Sequence, residues 1–287
     1  MVTKRGRENV VICLSLVIFA LWLVESLTFA GDIVSFKGTT KTASGDFVTL
    51  TGKLSKPQGD GPFPAIVLMP GCSGITKPND NWADRLVSWG YVAFQLDSFG
   101  PRGESQICDK LLRVPFHIRA EDAYDAKSYL SGLPLVDRNR IGLMGWSHGG
   151  CGTLASVSGS NYATFAALIA LFTDLTPNLE LPKRNNPFQA AVAFYPFCIG
   201  QLDDSNAPVL ILIGELDTWC PAALCQMKMP SGKSANEVIL KIYPGAYHGF
   251  DSEGIDIVRG RHRVTSNPAA FTDSIVQVKE FLGTHLK

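Results

Sequence analysis

The six residues Gly145-Trp146-Ser147-His148-Gly149-Gly150 constrain this chain more than any others. The run before them, Arg140-Ile141-Gly142-Leu143-Met144, is short, apolar and of strand type. The run after them, Cys151 to Val157, is small and apolar and suits the start of a helix. A strand, a Gly-x-Ser-x-Gly turn and a helix put the serine on a sharp bend with its Oγ exposed above a sheet. Glycines on either side let strand and helix pass where a Cβ would collide. The backbone N–H of His148 then points at the oxyanion of an acyl intermediate. The competing reading is an ordinary glycine-rich turn, since the pattern alone is weak. Serine chemistry further requires a histidine, an acid and a second oxyanion donor.

Other segments supply candidates for all three. Asp32 to Lys37 and Phe47 to Leu54 alternate apolar and polar and read as two antiparallel edge strands. Pro64 to Met69 is a continuous apolar run, as expected of a buried strand. It leads into Pro70-Gly71-Cys72-Ser73-Gly74. There Gly71 and Gly74 let the backbone curl so that the Cys72 N–H points inward as the second oxyanion donor. The Cys72 thiol as nucleophile is the less favoured alternative, because no histidine or helix N-terminus is matched to it.

Asn81 to Trp89 reads as a helix with Trp82, Leu86 and Trp89 on one face, ended by Gly90. The strand Tyr91 to Leu96 ends in Asp97, whose place before the serine favours a loop-fixing role over a catalytic one. Arg102 is a candidate for a substrate carboxylate, although a structural ion pair is the commoner role. His117 to Leu130 is a helix, with His117 as a surface or helix-start residue. Residues 161–186 form an excursion, either part of a cap over the site or a packed surface helix.

Ala190 to Tyr195 and Val209 to Ile213 are two further buried strands, and Val238 to Tyr243 is the last strand. The second runs into Gly214-Glu215-Leu216-Asp217. Asp217 sits after the serine at a strand's C-terminal end, where a triad acid belongs. Glu215 is its rival, two residues nearer the strand. His248, in Pro244-Gly245-Ala246-Tyr247-His248-Gly249-Phe250, follows the last strand. Its strand-end position and flanking glycines favour a catalytic histidine over a solvated one. Asn267 to Leu286 closes the fold as a helix.

The order Ser147, Asp217, His248 is that of α/β-hydrolases. The fold class expected is therefore α/β, a mostly parallel central sheet flanked by helices. The chain resembles the dienelactone hydrolase family from about Val48 to its end. The likeness is carried by Pro70 to Gly74, Asp97 to Gly103, Ile141 to Gly150, Gly214 to Asp217 and Tyr247 to Phe250. The resemblance implies a triad of Ser147, Asp217 and His248, with oxyanion donors at the Cys72 and His148 N–H groups. The enzymes that name the family use cysteine as nucleophile, and this chain has serine. Acyl-ester or lactone hydrolysis on a small-molecule substrate is the expected activity, with no metal or organic cofactor. Rival readings are a small serine peptidase of prolyl-oligopeptidase type and a non-catalytic binding protein on the same fold. A complete triad argues against the second. The first usually carries a large extra domain, for which the chain leaves no room.

Composition bounds the alternatives. Of 287 residues, 46% are hydrophobic and 18% charged, enough for one sizeable core. Lys+Arg and Asp+Glu both number 26, so nothing points to nucleic acid. No HExxH or paired CxxC spacing suggests a metal site. Lys4, Arg5 and Arg7 precede an apolar run from Val10 to Val24, and Thr28 and Ala30 stand before a cut at Gly31. Residues 1–30 thus read as a cleaved signal peptide, or alternatively as a membrane anchor, with residues 31–287 as the catalytic domain outside the cytosol. A membrane contact is expected only if that segment stays uncleaved. Without Cys13, six cysteines are left: Cys72, Cys108, Cys151, Cys198, Cys220 and Cys225. They suggest disulfides of undetermined pairing, with buried free thiols as the alternative, above all for Cys151.

Overall fold

The computed structural model describes residues 31–42, 44–158, 186–198, 202–232 and 234–287. Residues 1–30, expected to be a targeting segment, and all but the last residue of the 161–186 excursion lie outside the described residues.

In chain order the elements begin with three strands, β1 (Asp32–Lys41), β2 (Phe47–Ser55) and β3 (Phe63–Met69). Helix α1 (Lys77–Ser88) and strand β4 (Val92–Asp97) follow. Next come α2 (Phe116–Ser131), β5 (Val136–Trp146) and α3 (His148–Val157). Then come β6 (Ala191–Phe194), β7 (Val209–Gly214), α4 (Ala222–Lys228) and β8 (Val238–Tyr243). A hairpin of β9 (Asp256–Arg259) and β10 (His262–Thr265) precedes α5 (Pro268–Leu286).

Eight strands form one sheet in the order β1-β2-β4-β3-β5-β6-β7-β8. β1 and β2 are the antiparallel edge, as their alternation predicts, and β2 also runs antiparallel to β4. All pairings from β4 across to β8 are parallel. Parallel strands covered on both faces must be apolar throughout, and β3, β6 and β7 are buried along nearly their whole length.

The period of two along β5 divides the core between two layers. Ile141 and Leu143 turn towards Ala123, Ala126 and Leu130 of α2. Gly142 and Trp146 turn the other way. A Cβ on Gly142 would lie 2.8 Å from a Leu286 methyl of α5, and the Trp146 ring lies 6.3 Å from that of Trp82 on α1. Helices therefore cover both faces, and the C-terminal ends of β3, β5, β6, β7 and β8 share one edge. In open parallel sheets that edge is where ligands bind.

Disulfides join Cys72 to Cys108 and Cys198 to Cys225, while Cys151 and Cys220 are free and buried. The pairing left open by the sequence is thereby assigned, and Cys151 follows its free-thiol reading. Such bonds fit an oxidising compartment. Among the described residues no helix is long and apolar enough to cross a membrane.

Candidate functional site

Ser147 is the hinge between β5 and α3. Its backbone takes φ 50° and ψ −117°, the left-handed side that L residues avoid. Such strain persists only where the surroundings impose it. Here the imposition is steric. A Cβ on Gly149 would run into the carbonyl oxygens of Met69 and Pro70, so only glycine lets α3 pass the end of β3 so closely. The bend lifts Oγ to 3.0 Å from His248 Nε2. His248 Nδ1 lies 2.7 Å from Asp217 Oδ2. A carboxylate accepts only, so Nδ1 carries the proton and Nε2 accepts from the Ser147 hydroxyl.

Each partner is held in turn. Asp217 Oδ1 accepts from the N–H groups of Trp219 and Cys220, both at 2.8 Å, which fixes the carboxylate on the turn after β7. Its rival Glu215 turns away and accepts from the Gly245 N–H. The His248 backbone pairs with β10, where Thr265 N–H donates to its carbonyl. Its ring is flanked by Tyr195 and Trp219, with centroids 4.5 and 5.2 Å away.

The two expected oxyanion donors stand on adjoining segments. Gly71 packs against Ser147, a Cβ there lying 3.6 Å from the serine Cβ. Cys72 is tied down by its disulfide and by Ile107 N–H donating to its carbonyl at 2.8 Å. The bond to Cys108 removes the Cys72 thiol as a nucleophile. Arg119, fully buried on α2, links both segments: Nη2 donates to Pro70 O at 2.9 Å, and Nη1 approaches His148 Nδ1 at 3.4 Å. Burial pulls its pKa down to about 10.

The His148 side chain is buried behind the site. Its Nε2–H donates to Leu111 O and its Nδ1 faces a guanidinium that can only donate, so the ring is neutral. Burial, and secondarily Arg119, lowers its pKa from 6.5 to about 3. Below pH 6.5 the unfolded chain binds a proton here that the folded chain refuses until about pH 3. Stability from this group therefore falls with acid across that window, at about 1.4 kcal/mol per pH unit. His148→Asn keeps the backbone N–H and should flatten the fall of Tm on acidification. Equal slopes in both proteins would refute the neutral assignment.

Asp97 and Arg102 take their structural readings. Asp97 Oδ1 accepts from Phe99 and Gly100 N–H groups. Arg102 forms a two-pronged pair with buried Asp122, both contacts at 2.8 Å. His117 lies near the start of α2, half-buried.

A cavity of about 490 Å³ opens onto this constellation, lined by Ser147, His248, Cys72, Tyr195, Trp219 and Ile257 among others. That volume suits a small molecule.

The sequence profile described as "Dienelactone hydrolase family" matches residues 50–286. The chain belongs to the dienelactone hydrolase family. A Bradyrhizobium protein named "Probable 2-oxo-3-(5-oxofuran-2-ylidene)propanoate lactonase" is 24% identical over 241 residues, 79% of this chain and 87% of its own. Among solved structures, a dienelactone hydrolase from Anabaena variabilis superposes with TM-score 0.58 at 17% identity, covering 90% of this chain and 100% of its own. A thermophilic esterase from Thermogutta terrifontis gives 0.55 at 19%, covering 92% and 96%. These likenesses establish the α/β-hydrolase fold, and membership of the family makes the chain a dienelactone hydrolase-like hydrolase.

Two site residues carry no sequence motif of their own. Tyr195 has φ 36° and follows β6 directly into the pocket. Asp251, three residues after His248, is buried and accepts from Tyr195 OH, Trp146 Nε1 and Trp82 Nε1 at 2.7, 2.8 and 3.0 Å. An aspartate directly after the apolar Phe250, in the turn that follows His248, is the one signal that could have marked it.

Proposed function

We propose that this protein is a serine hydrolase of small carboxylic esters or lactones, working through an acyl-enzyme on Ser147. The observation that carries the reading is the hydrogen-bonded line from Ser147 Oγ through His248 to Asp217, set on a strained bend at the mouth of the cavity. His248 Nε2 takes the Ser147 proton as Oγ attacks the carbonyl carbon. Asp217 holds the ring and stabilises the imidazolium that forms. The N–H groups of Cys72 and His148 stabilise the oxyanion. His248 then returns the proton to the leaving oxygen, and water releases the acyl group by the same steps. The relative named as a lactonase supports a lactone as one form of substrate.

The two disulfides and the basic-then-apolar N-terminus together support export to an oxidising compartment.

Hydrolysis of a p-nitrophenyl ester series, acetate to palmitate, by the parent protein and by Ser147→Ala tests the reading. Turnover by the parent with the variant near the uncatalysed rate is expected. Equal rates in the two proteins would overturn it.

A further inference from the structure

The proposed mechanism leaves one thiol unused beside its acid. Cys220 is a free, buried cysteine on the turn that begins at Asp217. The turn is tight because Asp217 Oδ1 accepts from the Trp219 and Cys220 N–H groups. It folds the sulfur back towards the Asp217–His248 pair. A carboxylate oxygen of Asp217, the Sγ of Cys220 and a ring nitrogen of His248 all lie within 4.8 Å of one another.

A thiolate, an imidazole and a carboxylate are the ligands that Zn²⁺ takes, and three of them with one open position make a sufficient set. With bonds of about 2.0–2.3 Å, tetrahedral ligands stand roughly 3.3–3.8 Å apart. The 2.7 Å between Asp217 Oδ2 and His248 Nδ1 is too short for an ion between them and must widen by roughly 1 Å. The sulfur, within 4.8 Å of both, must close by at most roughly 1 Å to reach such spacing. Rotation of the Asp217, Cys220 and His248 side chains would have to supply these shifts while Asp217 Oδ1 keeps its two backbone donors. The other free thiol among the described residues, Cys151, accepts from Phe197 N–H and is not one of the three grouped residues.

We propose that Asp217, Cys220 and His248 form an inhibitory site for a thiophilic divalent cation, Zn²⁺ or its analogue Cd²⁺. The inhibitory half of this proposal rests on the serine-hydrolase reading above. On binding, the Cys220 thiol loses its proton to solvent and ligates as thiolate. The proton on His248 Nδ1 is transferred to Nε2, and Nδ1 turns its lone pair to the ion. No electron moves. Nε2 is then a donor and no longer accepts the Ser147 proton, so acylation stops. Mg²⁺ and Ca²⁺ prefer oxygen ligands and do not compete for this set.

Two measurements on the full chain test the site. The first is ester hydrolysis under titration with Zn²⁺, Cd²⁺ or Mg²⁺, each protein read against its own metal-free rate. Zn²⁺ and Cd²⁺ should inhibit, EDTA should restore the rate, and Mg²⁺ should have no effect. Cys220→Ala should raise the half-inhibiting concentration by roughly tenfold or more, and Cys151→Ala should not. Unchanged sensitivity of Cys220→Ala would overturn the site. The second needs no turnover: Cd²⁺ added to Ser147→Ala protein should produce the ultraviolet thiolate-to-metal charge-transfer band, and adding Cys220→Ala should remove it. Absence of the band in Ser147→Ala protein overturns the site even where no Cys220 variant folds. A parent protein that binds Cd²⁺ in this way but hydrolyses no ester would leave the cation site standing and remove the hydrolase reading.

Discussion

Asp217→Asn is expected to lower kcat by about 10⁴-fold while leaving Tm within a few degrees of the parent. The separation of the two effects follows from the two oxygens of the side chain. Oδ1 accepts from the Trp219 and Cys220 N–H groups, and an amide oxygen does the same. Oδ2 accepts from His248 Nδ1, and there the variant presents an NH₂ group, which can only donate. His248 answers by moving its proton to Nε2, the nitrogen that faces Ser147 Oγ. The imidazole keeps its place between Tyr195 and Trp219 in a tautomer that cannot take the serine proton. Measured kcat for a p-nitrophenyl ester, with thermal unfolding of the same samples, checks both halves. A loss of less than tenfold would show that Asp217 is not the orienting acid, and a collapse of Tm would show that the carboxylate is structural instead.

Much of this site was legible because its residues sit where strands end. Ser147, Asp217 and His248 each follow an apolar run by a few residues, and runs of that kind stand out in any sequence. The parallel strands β3, β6 and β7 gave strong signals for the same reason, being buried on both faces. Elements with weaker burial were harder. Helix α1 begins at Lys77, four residues before the run from Asn81 suggests, because Thr76 and Asn79 cap each other and Pro78 sits in the first turn. Asparagine is not the Glu or Gln that marks a capping box. The β9–β10 hairpin was missed since β9 is exposed along its length and shows no inside face to read. Helix α4 has 7 residues, too few for a helical period to register. Helix α2 was legible as a helix, but its buried Arg119, Asp122 and Lys127 were not legible as interior residues. Their partners come from far along the chain: Arg102 for Asp122, Pro70 for Arg119, and Asn186 and Pro187 for Lys127. Local pattern carries apolar burial well and carries long-range polar pairing hardly at all.

Asp251 is the sharpest case of such pairing, and its removal should be the most damaging to the folded state. Asp251→Ala is expected to destabilise the protein by roughly 4–8 kcal/mol, comparable with the whole stability of many domains. Three donors converge on this carboxylate: Tyr195 OH, Trp146 Nε1 and Trp82 Nε1. Each donor left buried without an acceptor costs about 1–3 kcal/mol, and the lost carboxyl group leaves a void among aromatic rings. Burial itself raises the Asp251 pKa, while the three donors oppose that shift, so the network is what makes the buried carboxylate tolerable. The damage has a direction. Trp146 is the last residue of β5 before Ser147, Tyr195 is the strained residue whose ring supports His248, and Asp251 itself lies three residues beyond His248. One side chain thus holds the segments bearing both the proposed nucleophile and the proposed base. Asp251→Asn keeps one acceptor for the two indoles and lets the tyrosine hydroxyl turn round to accept, so it should lose much less stability than the alanine variant. Urea unfolding of the parent and both variants, followed by tryptophan fluorescence, checks the ranking. Alanine and asparagine variants of equal stability would mean that the three donors find water instead, and that the segments around Ser147 and His248 are held by packing alone.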